Sequence, residues 1–338
     1  MVFVRAGSRT FLYDRPPRIA AHASIAGPKE GEGPLADWFD EISRDDLFGQ
    51  KTWEMGESEM LRRCVARVMD GAGLPADEAQ ALFCGDLNDQ IIATGFAARA
   101  LGTPLVGLYG ACSTFVEGLV LAAALVSGGY LQNALCAASS HFCTAERQFR
   151  FPLEMGTQRP PSAQWTATAA GCALLRAEEG TGLRITAGTL GRIVDPRIKD
   201  ANHMGAAMAP AVFSTIFAHL DDTGASPDDF DLIATGDLGW IGRELLLRLA
   251  QEEGRPLPPE KVVDCGASLF YQEQDTHAGG SGCGCVASVA CGMLMKRMER
   301  GELKRVLLVG SGAMLSPTST MQAETIPGIA YAARLEVR

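Results

Sequence analysis

Short apolar runs alternate with longer segments of helical spacing along most of the chain, and this alternation predicts the order of the secondary structure. In the first half, apolar runs predict buried strands at residues 81–84, 105–109 and 133–138. Helical spacing predicts helices at residues 55–70, 90–101 and 113–127. Because strands alternate with helices, we predict an α/β protein with a parallel sheet of buried strands.

The same order returns in the second half of the chain. Strands are predicted at residues 232–235, near 262–263 and at 306–309, and helices at 209–220, at 242–251 and from about Ser281 onward. The first 50 residues differ from both halves, because Gly, Pro and acidic residues are frequent there, and we predict an irregular arm.

Two short motifs occur once in each half. Gly129-Tyr130-Leu131 leads to Ser139, and 172 positions later Gly301-Glu302-Leu303 leads to Ser311 at the same spacing. Likewise, Gly85-Asp86-Leu87 is matched by Gly236-Asp237-Leu238. We therefore predict two similar halves, residues 1–180 and 181–338, joined at the acidic, glycine-rich segment 178–182.

Composition narrows the classes of function. The chain has 338 residues, of which 47% are hydrophobic and 21% charged, as in a close-packed globular protein. Its net charge of −10 argues against nucleic acid as the main partner and against direct docking on an anionic membrane. The first residues lack the pattern of a secretory signal, and no apolar run approaches the about 20 residues that span a bilayer. We expect an intracellular protein that reaches a membrane only through other proteins.

Cysteine usage points to reduced thiols rather than to disulfides or a metal site. The chain contains 10 cysteines, and most of them lie in apolar runs, where cysteine acts as a small hydrophobic residue. Cys283-Gly284-Cys285 has a spacing one residue shorter than the usual zinc-binding pair, and no second pair follows. We therefore expect no metal site.

Several polar residues follow predicted strands, where the loops of a parallel sheet meet at one edge. We expect these residues to converge, and they are Asp86, Cys112, Ser139, Asp237, Gly280 and Ser311. Cys112 stands out because the offset of 172 places Gly110-Ala111-Cys112-Ser113 on Gly282-Cys283-Gly284-Cys285, so that the two halves differ there. Its place before a helix favours a thiolate nucleophile, and the alternative is a cysteine present only because it is small.

Other candidates have both a functional and a structural interpretation. His141 and His277 lie in loops at the edge of the sheet where the polar residues are expected to converge. Each is interpreted either as a ligand contact or as a structural histidine. Arg147 and Arg150 follow in an apolar setting, where a guanidinium suits a planar carboxylate. Asp86 and Asp237 are expected to cap backbone N–H groups or to face one pocket, and the neighbouring Asn88 and Asp89 would add oxygen ligands for a cation.

The setting of Cys112 resembles that of the acyl-accepting cysteine in the thiolase-like superfamily, which includes condensing enzymes of the ketoacyl-synthase III type. The resemblance implies a five-layer α-β-α-β-α fold built from two similar halves. Condensing enzymes carry a histidine in the loop that Asp237 occupies here, and an asparagine just before the helix that Gly279-Gly280-Ser281 opens. Neither residue is present, so the resemblance implies an acyl-enzyme scaffold without its proton-handling groups.

Longer segments resemble the stage V sporulation protein AD family over nearly the whole chain. They lie at residues 26–30, 53–55, 110–114, 139–141, 144–150, 208–210, 278–283 and 315–318. The resemblance implies binding of dipicolinic acid or its calcium chelate without turnover, and no cofactor beyond calcium arriving with that ligand. It also implies small membrane proteins of the same operon as partners, a homodimer, and a location in the forespore or spore beside the inner membrane.

The residues expected to bind this ligand are the polar and glycine residues of the converging loops. They are Asp86, Asn88, Asp89, Cys112, Ser139, Ser140, His141, Arg147, Arg150, Asp237, His277, Gly279 and Gly280. Because two aspartates would repel a free dianion, we expect the calcium chelate to bind better. The alternatives are an acyltransferase with Cys112 as nucleophile and His277 as base, and a scaffold for protein contacts.

Overall fold

The computed structural model describes residues 4–75, 78–149 and 159–338. Its strands are β1 (Val4–Ala6), β2 (Thr10–Leu12), β3 (Arg18–Ala26), β4 (Glu41–Ile42), β5 (Leu82–Gly85), β6 (Leu105–Gly107), β7 (Asn133–Ser140), β8 (Trp165–Thr166), β9 (Ala169–Arg176), β10 (Leu183–Thr189), β11 (Leu232–Thr235), β12 (Val262–Asp264), β13 (Gly280–Ser281), β14 (Arg305–Ala313) and β15 (Gly328–Val337).

The helices of these residues are α1 (Pro28–Gly31), α2 (Trp53–Gly71), α3 (Ile92–Leu101), α4 (Thr114–Ser127), α5 (Phe142–Phe149), α6 (Met204–Thr223), α7 (Gly239–Glu252), α8 (Cys265–Leu269), α9 (Cys283–Val289), α10 (Met295–Glu299) and α11 (Pro317–Met321). A π-helical turn, Ala290–Leu294, joins α9 to α10. In this part of the chain, no helix is both long enough and apolar enough to cross a bilayer.

The main sheet repeats one strand order on both sides of its centre. From one edge to the other, the order is β12-β11-β14-β15-β10 and then β3-β9-β7-β5-β6. In each group of five, the three outer strands are parallel and the two inner strands pair antiparallel. The two groups join where Arg184 of β10 pairs with Arg18 of β3. The sheet is therefore mixed, and only its six outer strands fit the parallel sheet predicted from the sequence.

Five layers follow from the packing of the helices. Helices α2 and α3 cover the outer face of the β6-to-β3 strands, and α6 and α7 cover the outer face of the other group. Helices α4 and α9 contact each other and lie between the two groups of strands. This is the α-β-α-β-α arrangement that the resemblance implies, with the apolar helix α4 buried at its centre.

The predicted irregular arm is wrong. Residues 18–26 form the nine-residue strand β3, which pairs with β9 in the middle of the sheet. Its sequence, with four alanines and only two β-branched residues, carries a weak strand signal of its own. Pairing with β9 and burial against α2 decide its conformation, so the tertiary contacts outweigh the local propensity.

Candidate functional site

Cys112 sits in a tight turn between β6 and α4, as the sequence predicts. A single 3₁₀ turn, Ala111–Ser113, joins the loop to the helix, and Ala111 takes a left-handed φ of 52°. The Ser113 hydroxyl donates to the Gly110 carbonyl at 2.6 Å and holds the turn closed. The backbone thus directs the Cys112 side chain inward, where 5% of the residue's surface is exposed.

A cavity of about 300 Å³ opens in front of Cys112. Its wall is mainly apolar and includes Leu87, Phe149, Met204 and Met314, and its polar groups include Glu146 and Ser281. Among the described residues, no Lys, Arg or His side chain lines this space. The cavity therefore suits a small, flat or apolar ligand that carries little net charge.

Asp237 lies behind Cys112 at the end of β11 and is fully buried. Its carboxyl group accepts hydrogen bonds from the hydroxyls of Ser281 and Ser311 and from the Gly282 N–H, at 3.0–3.1 Å. The Ser281 hydroxyl is also 3.9 Å from the Cys112 sulfur. Asp237 after β11, Ser281 of β13 and Ser311 of β14 thus converge beside Cys112, as expected for polar residues near the carboxyl ends of strands.

The expectation of a thiolate at Cys112 is wrong. Burial raises the pKa of this thiol well above its usual value, and the neighbouring Asp237 carboxyl raises it further. Burial also raises the pKa of Asp237 itself. At neutral pH the site holds a neutral thiol beside an acidic side chain.

Asp86 belongs to a second buried cluster and has a capping role. Its carboxyl group accepts from the backbone N–H groups of Asn88 and Thr94 at 2.8 and 2.7 Å, which fixes the turn between β5 and α3. Neither Asp86 nor Asp237 lines the cavity. Of the two alternatives predicted for these aspartates, the structure supports capping of backbone N–H groups and not a shared pocket, because backbone and hydroxyl donors hold each carboxyl group.

The sequence reasoning missed Glu57, the centre of this second cluster. Its carboxyl group is fully buried and accepts from Asn88, Ser139 and Thr144 at 2.8–3.2 Å. Burial, together with the nearby Asp86, raises the pKa of Glu57. Its spacing indicates burial, since Glu57 lies on the same helical face as the apolar positions Met60 and Cys64.

Ser139, Ser140 and His141 serve the framework at the end of β7. The Ser140 hydroxyl donates to the Ala167 carbonyl at 2.7 Å and accepts from the Gly284 N–H at 3.1 Å, which ties β7 to α9. The His141 ring is buried with Nε2 2.7 Å from the Asp46 carbonyl, and its Nδ1 accepts from the Cys143 N–H. Burial lowers the pKa of His141, so it is a neutral structural histidine away from the cavity.

The remaining polar candidates lie at or beyond the edge of the site. Asp89 is exposed and accepts from Tyr109, which lines the cavity, and from Gln148. Arg147 is half exposed on the surface and pairs with Glu54 at 2.8 Å, so it does not reach the cavity. Arg150 lies outside the described residues.

His277 does not take the position of a base. Its Nε2 is 3.4 Å from the exposed carboxylate of Asp275, and it is absent from the cavity wall. Gly279 and Gly280 form the backbone that brings Ser281 to Cys112. Gly279 has a φ of 106°, and a Cβ there would lie 2.8 Å from the Gly266 carbonyl oxygen, so glycine is required for this path. No cluster of metal-ligating side chains occurs among the described residues.

Comparison with known proteins agrees with this arrangement. The family model for stage V sporulation protein AD matches residues 7–336. Stage V sporulation protein AD of Bacillus subtilis (strain 168) is 40% identical over 325 residues, which cover 96% of each chain. The chain belongs to the stage V sporulation protein AD family. It is therefore similar to a sporulation protein over nearly its full length.

Solved structures similar to this stage V sporulation protein AD family member are thiolase-like. OleA of Xanthomonas campestris, in a form with bound lauric acid and lauroyl-CoA, superimposes with a TM-score of 0.63 at 17% identity, covering 96% of this chain and 100% of that one. 3-Oxoacyl-(acyl carrier protein) synthase III of Pseudomonas aeruginosa PAO1 gives a TM-score of 0.57 at 17% identity, covering 94% and 98%. At this identity the likeness establishes the fold alone.

Proposed function

We propose that this protein binds dipicolinic acid, or its calcium chelate, without turning it over, as part of the machinery that moves it into the developing spore. The observation that carries the proposal is the buried Asp237 carboxyl group beside Cys112. Burial and this carboxyl group both raise the pKa of the thiol and so favour its protonated form, whereas an acyl-transfer enzyme needs a thiolate. The site keeps the shape of a condensing enzyme and lacks its reactivity.

The ligand chemistry follows from the cavity. A volume of about 300 Å³ is at the small end of the range for ligand pockets, about 300–1,000 Å³. The apolar side chains of Leu87, Phe149 and Met314 in the wall suit contact with a flat ring. Because the described wall offers no basic side chain and includes Glu146, the neutral calcium chelate is favoured over the free dianion.

Titration calorimetry with dipicolinate, with and without calcium, tests this proposal. We expect tighter binding in calcium than in the presence of a chelator, and we expect binding to survive Cys112→Ser because the thiol has no covalent role. Equal affinity in both buffers would rule out a preference for the calcium chelate over the free acid. Absence of binding in both buffers would rule out dipicolinate as the ligand and would favour a scaffold for protein contacts.

The rival proposal is an acyltransferase, which the apolar cavity beside Cys112 favours. Incubation with acyl-CoA followed by mass spectrometry of the Cys112 peptide separates the two. We expect no acyl adduct and no release of free CoA. An adduct that forms and turns over at an appreciable rate would establish the enzyme instead.

For the cellular setting, we propose a homodimer that meets small membrane proteins of the same operon at the inner membrane of the forespore. Strand β6 supports the dimer, because all three of its residues are exposed at the free edge of the sheet. Co-purification of the dimer with those membrane proteins from detergent extracts of sporulating cells tests the partnership. Recovery of the protein without them would count against it.

A further inference from the structure

Two cationic side chains, Lys29 and Arg159, lie over the ring of Trp165, which precedes Thr166 of the cavity wall. Phe142 stacks on this ring with a centroid separation of 3.6 Å and an interplanar angle of 5°. The Lys29 ammonium lies 4.3 Å from the ring centroid and the Arg159 guanidinium 4.9 Å. Both cations thus lie close to the same indole ring, and their like charges repel each other.

The buried Glu30 carboxyl group attracts Lys29, and the other partners of the two cations lie at residues 274–275. Lys29 donates to the Gln274 carbonyl, and Arg159 donates to the Asp275 carbonyl and carboxylate at 2.8 and 3.2 Å. His277 also approaches Asp275, with Nε2 3.4 Å from its carboxylate. The Asp275 side chain is 79% exposed, so solvent screens its attraction for Arg159.

One donor of this cluster lacks a partner. Arg159 Nη1 is buried and makes no hydrogen bond to any described residue, and the Arg159 side chain is only 11% exposed. A buried donor on a charged group without an acceptor is costly. A bound oxyanion would satisfy Nη1 and reduce the repulsion between Lys29 and Arg159 at the same time.

We propose that Lys29 and Arg159, over the face of Trp165, form an oxyanion subsite that takes a carboxylate group. The subsite adjoins the cavity through the backbone, because Trp165 precedes Thr166 of the cavity wall, and β8 pairs with β13, which carries Ser281. The identification of its ligand as a flat aromatic carboxylate rests on the proposed function. The anion site itself rests only on the geometry of the cluster.

Anion titrations followed by indole fluorescence test the subsite, with Trp165→Phe identifying the signal among the four tryptophans. The probes are sodium sulfate, which has no part in the proposed function, and calcium-free dipicolinate. We expect both to perturb Trp165 and Arg159→Met to weaken sulfate binding at least tenfold. Arg248→Met is the matched control, because Arg248 is 69% exposed in a surface ion pair with Glu244, and it should leave binding unchanged.

A second variant guards against misfolding of Arg159→Met. Asp275→Asn alters an exposed side chain, so the fold should persist, and removal of the only carboxylate that pairs with Arg159 among the described residues should strengthen sulfate binding several-fold. Unchanged sulfate binding in both variants would overturn the subsite. If the unmodified protein bound sulfate but not dipicolinate, the proposed function would be overturned and the oxyanion subsite would stand.

Discussion

At the scale of single residues, burial and the neighbouring Asp237 both act on Cys112. A cysteine at the start of a helix usually gains acidity from the helix dipole, whereas burial and the Asp237 carboxyl group raise the pKa of this thiol. The hydroxyls of Ser281 and Ser311 hold the carboxyl group in place. Asp237 thus adds to the effect of burial on the protonation of the Cys112 thiol.

Asp237→Asn should make Cys112 more reactive. Removal of the acidic group lowers the pKa of the thiol, and each pKa unit gives about tenfold more thiolate near neutral pH. We expect alkylation of Cys112 by iodoacetamide at pH 8 to accelerate roughly tenfold, measured by peptide mass spectrometry. Cys143 serves as the internal control, because it is partly exposed and its pKa of about 11 has causes that do not include Asp237. An unchanged rate at Cys112 would show that burial alone protects the thiol.

Glu57 should make stability depend on pH. Its pKa is raised from 4.5 to about 8, so the folded state binds the proton more tightly than the unfolded state. The stabilisation is therefore complete below about pH 4.5 and is lost as the pH rises toward 8. We expect Glu57→Gln to flatten the fall in Tm between pH 6 and 8, measured by calorimetry.

Glu59→Gln provides the matched control for that experiment. Glu59 lies on the same helix, pairs with Arg62 and Arg63, and has a lowered pKa. Its loss should leave the slope of Tm against pH between 6 and 8 unchanged. If Glu57→Gln and the wild-type chain showed the same slope, Glu57 would not be the titrating group.

At the scale of secondary-structure elements, the close approach of α9 to the sheet places the site. A Cβ on Gly284 would lie 2.1 Å from the Ala169 carbonyl oxygen and 2.7 Å from the Ser140 N. A Cβ on Gly171 would lie 2.2 Å from the Ala287 carbonyl oxygen. Helix α9 and β9 thus touch backbone to backbone, which brings Ser281 and Gly282 to Asp237.

Gly284→Ala should destabilise the protein by about 1–3 kcal/mol or more, because the added methyl group meets backbone atoms that cannot move aside. The measurement is urea unfolding followed by circular dichroism. Gly95→Ala is the control, since Gly95 lies inside α3 with open space around it, and alanine there should stabilise by up to about 1 kcal/mol. Equal midpoints for the two variants would contradict the close packing of α9.

At the scale of the whole molecule, the two equivalent edges of the sheet differ. In β12, Val262 and Asp264 are buried, whereas Leu105, Val106 and Gly107 of β6 are all exposed. Exposed Ile92 and Phe96 of α3 lie near that edge. An exposed apolar edge strand invites pairing with another chain, and this asymmetry supports the homodimer proposed above.

Val106→Lys should convert the proposed dimer to a monomer. A charged side chain on the edge strand opposes pairing of two copies, and Val106 is 39% exposed, so the single chain should still fold. Light scattering after size-exclusion chromatography gives the mass. Tyr130→Lys is the control, because Tyr130 is 75% exposed and is not part of β6. A wild-type mass equal to one chain would end the dimer proposal.

The local pattern predicted the parallel strands and the helices between them, because each carries a continuous apolar run or a helical period of its own. Strand β11 was predicted at its observed bounds, and α4 within one residue. The antiparallel strands β3, β9, β10 and β15 were not predicted. Alanine and small polar residues are frequent in these strands and have little intrinsic strand preference. Pairing with strands distant in sequence therefore decides their conformation.

By itself, the sequence determined the repeat of the two halves' motifs and the place of Cys112 between a strand and a helix, since both depend on local spacing. Only the tertiary structure decided the charge state of Cys112, the separation of Asp86 from Asp237 and the position of Glu57. The physical reason is that a pKa and a hydrogen-bond partner depend on groups more than 100 residues apart in the chain, such as Cys112 and Asp237, which folding alone brings into contact.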